Sequence, residues 1–87
     1  MLNGKATSLP MPVYPAIARQ AHASGPVNVE VLISEGGEVI AAHAVSGHPL
    51  LQAAAVTAAR QASFAPTRLN GEPVKVAGVL IYNFAAQ

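Results

Sequence analysis

The chain has 87 residues, 52% of them hydrophobic and only 10% charged, with a formal net charge of +1. That describes one small domain with a modest core and excludes a disordered chain. Lys5, Arg19, Arg60, Arg68 and Lys75 are scattered, so no basic stripe grips phosphates and nucleic acid is excluded as a partner; with no cysteine there is no disulfide or thiolate site.

No apolar run approaches the roughly 18–20 residues that span a bilayer, so this segment itself does not insert into a membrane. Residues 1–12 lack the apolar stretch of a signal peptide. They carry Pro10 and Pro12 and read as an irregular or polyproline-like tail or linker, ahead of a globular part over 13–87. Pro15 then suits the first position of a short helix, where its missing N–H has no helical partner. Ile17, Ala18 and Ala21 share a face of that helix. Its end is expected near Ser24-Gly25-Pro26.

Strict alternation follows. Val27, Val29, Val31 and Ile33 point one way, Asn28, Glu30 and Ser34 the other, as in a half-buried strand. Glu35-Gly36-Gly37-Glu38 signals a hairpin. The returning strand over 39–45 alternates imperfectly, because Val39 is out of phase with Ala42 and Ala44; a bulge between them would reconcile the two. An alanine-rich helix is predicted over 49–62, with Leu51, Ala54, Ala55, Ala58 and Ala62 at helical spacing. Phe64 then drops toward the core, and Pro66 forbids more helix. Asn70-Gly71 marks a turn, and Pro73 opens the last strand over 74–84. Val74, Val76, Leu80, Tyr82 and Phe84 lie on one face of that strand with Gly78 as a gap. Lys75, Ala77, Val79, Ile81 and Asn83 lie on the other. The order helix-strand-strand-helix-strand gives an α+β fold, a three-stranded antiparallel sheet with two helices on it.

Candidate chemistry is sparse. Ser46 and His48, two apart in Ser46-Gly47-His48-Pro49-Leu50-Leu51, suggest a nucleophile and its base. Such a dyad also needs an orienting acid and an oxyanion hole. The chain has no Asp, and no Glu is near in sequence. The alternative is a strand-to-helix junction: Gly47 makes the turn, Ser46 or His48 offers a polar group to the helix start, and Pro49 takes its first position. The junction is the better reading, so no catalytic residue is assigned and no enzyme is expected. His22, His43 and His48 show no metal-ligand spacing, the four glutamates form no obvious acid/base pair, and Gly36-Gly37 opens no phosphate loop. No metal and no cofactor are expected.

The last strand is more informative. It has no internal proline and one charge, Lys75. A three-stranded sheet has two edges, and so apolar an edge strand is normally blunted, covered or used. Use means strand addition by a partner peptide. The alternative is a central strand, or an edge covered by a neighbour or a second copy. The residues alone leave these readings open.

Several short motifs, taken in order, resemble the C-terminal domain of TonB-type energy transducers. They are Tyr14-Pro15 with Ala18, Gly25 before the valine strand, Gly37 with Val39, and Val45 through Leu51. Ala54-Ala55, Arg60, Phe64-Ala65-Pro66, Asn70 through Val74 and Tyr82-Asn83-Phe84 complete the series. The resemblance spans residues 13–84. It implies two helices on one face of the sheet and a last strand paired with the first, its outer side left open. It implies that this edge receives the Ton box of outer-membrane receptors, with Val74, Lys75, Val76, Ala77, Gly78, Val79, Leu80, Ile81, Tyr82, Asn83 and Phe84 as the partner-binding strand. Tyr14 and Pro15 would anchor the first helix or touch the partner. The segment containing Ser46 and His48 is a non-catalytic junction in the family.

The resemblance also implies a periplasmic domain whose parent is anchored in the inner membrane. An ExbB–ExbD-type complex would drive it through that anchor and a Pro-rich linker, and force would open receptors for siderophore-type nutrients. The other parents open to such a domain are a TolA-like envelope scaffold or a membrane sensor peptidase, without receptor binding. An apolar edge further implies self-association, by edge pairing or exchange of the last strand, into a homodimer. Ala62 stands where many relatives carry a large aromatic, and Ala23 where an aliphatic is usual, so the core must be filled differently here.

Overall fold

Two alternating strands and an alanine-rich helix set the architecture. The computed structural model describes residues 3–85; Met1 and Leu2 of the expected tail, and Ala86 and Gln87 at the end of the expected domain, lie outside the described residues. After a 3-10 turn at Asn3–Lys5, the chain forms β1 (Ala6–Ser8), α1 (Ala16–Gln20), β2 (Gly25–Ile33) and β3 (Val39–Ser46). Then come α2 (Pro49–Arg60), β4 (Ser63–Phe64), β5 (Thr67–Leu69), β6 (Glu72–Val74) and β7 (Val76–Phe84). The main sheet is antiparallel with strand order β3-β2-β7, and both helices cover its inner face. The fold is α+β, as the sequence predicts.

β2 is central because its alternation is clean. Val27, Val29, Val31 and Ile33 are all buried, and they meet Leu51, Ala55, Ala58 and Ala59 of α2 and Leu80, Tyr82 and Phe84 of β7 in one core. Small side chains on α2 let the helix lie close to the sheet, the dense packing that interiors require. Ala23 and Ala62 belong to this core, each 3% exposed, so these small residues are packed rather than left at the surface.

The expected bulge is present, and a second accompanies it. Ile33 pairs with Val39 and Leu32 with Ala41, which loops out Ile40; Asn28 pairs with Ser46 and Val29 with Ala44, which loops out Val45. The first irregularity resolves the phase conflict by returning Val39 to the side of Ala42 and Ala44. Gly37 at the hairpin has φ +91°, and its carbonyl accepts the Phe64 N–H at 2.8 Å; a Cβ there would sit 1.8 Å from the Phe64 oxygen. Only glycine fits.

Five expectations are corrected. Pro15 is the residue before α1 rather than its first, and its carbonyl accepts the Arg19 N–H at 3.0 Å. Of the predicted α1 face, Ala18 is buried but Ile17 is 61% exposed, and the helix ends well before Gly25. His22, at φ +56°, ends it: the His22 N–H bonds the Arg19 carbonyl and the Ala23 N–H bonds the Ala18 carbonyl, a Schellman cap. α2 stops at Arg60, with 3-10-type bonds from Gln61 and Ala62 tightening its end. The last strand is split. Asn70 and Gly71 both have positive φ and close a tight hairpin of β5 on β6, so Val74 pairs with Thr67, Lys75 lies between strands, and pairing with β2 begins at Val76. Finally, part of the stretch read as irregular is a strand: Ala6 pairs with Phe64 and Ser8 with Ser63.

Candidate functional site

Strand order makes β7 one edge of the main sheet, and among the described residues no strand lies beyond it. Its pairing with β2 is continuous over nine positions, from Gly25 with Phe84 to Ile33 with Val76, without a register break. No charged residue lies within Val76–Phe84. On the core side Leu80, Tyr82 and Phe84 are at most 5% exposed, which fixes the strand in place. On the outer face Ala77 and Asn83 are exposed, and Val79 and Ile81 half-buried. The result is a bulge-free, anchored, uncharged strand, the geometry on which another strand can be templated.

The opposite edge is different. β3 carries the bulges at Ile40 and Val45, both about half exposed, and α2 packs over it. Bulges interrupt the regular spacing of outward N–H and C=O groups, so this edge is blunted.

At the C-terminal end of β7 a small cluster fastens the preceding chain. The Tyr14 hydroxyl donates to the Ala23 carbonyl, and its ring meets Phe84 edge-on at 5.5 Å and 87°. The Arg19 guanidinium lies 5.5 Å from the Tyr14 centroid, a cation–π contact. Pro15 shapes the entry to α1 next door. Sequence reasoning placed Tyr14 and Pro15 at the domain start but had no signal for the contact with Phe84. Tyr82 holds another polar group: its hydroxyl is buried with no hydrogen-bond partner among the described residues, and burial pushes the phenol's pKa up.

The remaining candidates are used structurally. His48 precedes α2, and its Nδ1 accepts the Leu50 N–H at 3.1 Å, with Pro49 at the first helical position. The Ser46 Oγ accepts from Asn28 Nδ2 at 2.7 Å, so Ser46 serves the β2–β3 pair and His48 the helix. Gly47 has φ +121°, and a Cβ there would be 2.8 Å from Val27 Cγ2. This is the geometry of a junction. His43 sits 3.6 Å from Glu30 on the outer sheet face, where both are more than half exposed. His22 caps α1, so the three histidines are dispersed, and no group of three ligating side chains occurs among the described residues.

The architecture is a helix-covered three-stranded antiparallel sheet with one regular, bulge-free edge. The chain belongs to the TonB C-terminal family: the family model described as "Gram-negative bacterial TonB protein C-terminal" matches residues 10–85. It is similar in fold to the TonB C-terminal domain of Pseudomonas aeruginosa, solved by solution NMR, with a TM-score of 0.74 at 21% identity, covering 95% of this chain and 86% of that one. No curated protein matches. Members of the family are periplasmic transducer domains rather than enzymes, and their partners are outer-membrane receptors. No helix among the described residues is long and apolar enough to cross a membrane.

Proposed function

We propose that this chain is the receptor-engaging domain of a TonB-like energy transducer and performs no catalysis. A Ton-box segment adds as a fourth strand along the outer edge of β7. Val76, Ala77, Gly78, Val79, Leu80, Ile81, Tyr82, Asn83 and Phe84 form the strand it adds to, and Val74 and Lys75 lead into it. Affinity comes from main-chain hydrogen bonds, and side chains on the two faces set preference. An ExbB–ExbD-type complex, acting through an inner-membrane anchor on the parent protein, pulls on the added strand so that a siderophore-type nutrient passes the receptor. The domain works in the periplasm and uses no cofactor. A second copy competes for the same edge, which makes a homodimer the resting alternative.

The observation that carries this reading is the unbroken nine-position pairing of an uncharged strand at a sheet edge. The test compares binding of the chain to a TonB-dependent receptor with binding to the same receptor lacking its Ton box. A transducer domain binds the first and loses at least tenfold in affinity for the second. No binding to either would leave the chain as an envelope scaffold or sensor accessory domain, and equal binding to both would place the receptor contact away from the Ton box.

A further inference from the structure

The segment ahead of β2 is fastened in two places of unequal strength. The outer fastening is β1, three residues paired with two-residue β4 through Ala6–Phe64 and Ser8–Ser63. It buries little: Ala6 and Leu9 are half-buried, and Thr7 and Ser8 exposed. Past it, Met11 and Val13 are 89% and 81% exposed and contribute little hold. The inner fastening is Tyr14. Its hydroxyl bonds the carbonyl of Ala23, a 3% exposed residue just before β2, and its ring packs on Phe84, the last residue of β7. Gly25 and Phe84 are themselves paired, so one side chain grips the ends of both strands that present the edge.

We infer that residues 4–14 form a two-stage tether, in which β1 yields first under load and Tyr14 is the positioning residue that passes the pull to the β2–β7 edge. The inference rests on the transducer reading, where the chain before the domain is pulled. Loss of β1 need not open the foot of the domain. β4 keeps its own attachment, because the Phe64 N–H bonds the Gly37 carbonyl independently of β1. α1 cannot replace Tyr14 as a hold. It has five residues, too few to stand alone, and buries only Ala18.

Force spectroscopy of the whole chain tests this. The chain has no cysteine, so Gly4→Cys and Ala77→Cys provide unique handles; nothing lies within 4 Å of a Cβ at Gly4, and Ala77 is exposed. The first rupture frees the chain from the Gly4 handle to Tyr14, about 35 Å of chain at roughly 3.5 Å per residue. The intermediate then persists until the sheet unfolds. In Tyr14→Ala the first rupture runs on through α1 to Ala23 and releases about 65 Å of chain on the same scale. Tyr14→Phe keeps the ring packing and loses the hydroxyl bond, so its first step is unchanged and its intermediate shorter-lived. A single all-or-none rupture of the parent chain overturns the inference, as does a first step of the parent's length retained in Tyr14→Ala. If Tyr14→Ala does not fold, an unchanged intermediate lifetime in Tyr14→Phe overturns it. These lengths are read without a receptor, so they stand or fall separately from receptor binding.

Discussion

β3 and β7 flank the same central strand and have nearly the same length, yet their outer edges differ. β3 loops out Ile40 and Val45 and lies under α2. β7 runs without a bulge and uncharged through nine pairings. The bulge at Ile40 repairs a phase mismatch in the sequence, and together with the one at Val45 it disrupts this edge as a template. β7 needs no repair, because Leu80, Tyr82 and Phe84 alternate cleanly into the core. One sheet thus has a closed side and an open side, decided by whether a strand's apolar pattern stays in phase.

Substitutions at the glycines on the β3 side carry the largest expected effects. Gly37→Ala collides with the Phe64 carbonyl and Gly47→Ala with Val27, both at positive φ. Each is expected to cost on the order of 3–5 kcal/mol, read by urea denaturation, with loss of the folded state at ordinary temperature an acceptable outcome. Next comes Val79→Lys, which guards the open edge with a charge. It should weaken Ton-box peptide binding about tenfold, an edge-charge effect, with a stability change below about 1 kcal/mol. Unchanged binding would mean that the partner avoids the middle of β7.

His48→Ala removes the acceptor for the Leu50 N–H and should cost about 1 kcal/mol of stability, leaving peptide affinity unchanged. Tyr82→Phe removes a buried hydroxyl without a partner among the described residues, so stability should hold or rise by up to about 1 kcal/mol. Its pH signature is distinct. The folded state holds the Tyr82 phenol above its unfolded pKa because burial penalises the phenolate, so its stability contribution is intact below about pH 10 and is lost as pH rises further. Tyr82→Phe should flatten that alkaline decline in thermal melts. The smallest effects belong to the bulged edge: Ile40→Lys and Val45→Lys, at half-exposed positions, should stay within about 0.5 kcal/mol and within twofold in peptide affinity.

Much of this contrast is legible in the residues. The phase conflict between Val39 and Ala42 announces the first bulge, and the alternation in β2 makes it the middle strand. The Ser46–His48 junction is also readable, since Gly47 and Pro49 frame a helix start. The second bulge is not, because Val45 is apolar and only its partner register betrays it. The break at Lys75 is hidden because Val74 continues the alternation of β7; the positive φ of Asn70 and Gly71 folds it back on Thr67 instead. β1 has no local signal. Ala6-Thr7-Ser8 becomes a strand only because β4 lies beside it, a tertiary effect that propensity does not contain. The hold of Tyr14 on Phe84 likewise joins residues seventy apart in sequence, a separation at which periodicity says nothing.

The most direct test of the open edge is an NMR titration of the labelled chain with a Ton-box peptide. Amides from Val76 to Phe84 should shift together, and the alternate ones that face away from β2 should become protected from exchange, while those from Val39 to Ser46 stay in place. Shifts confined to Val39–Ser46, or no shift with several such peptides, would contradict it.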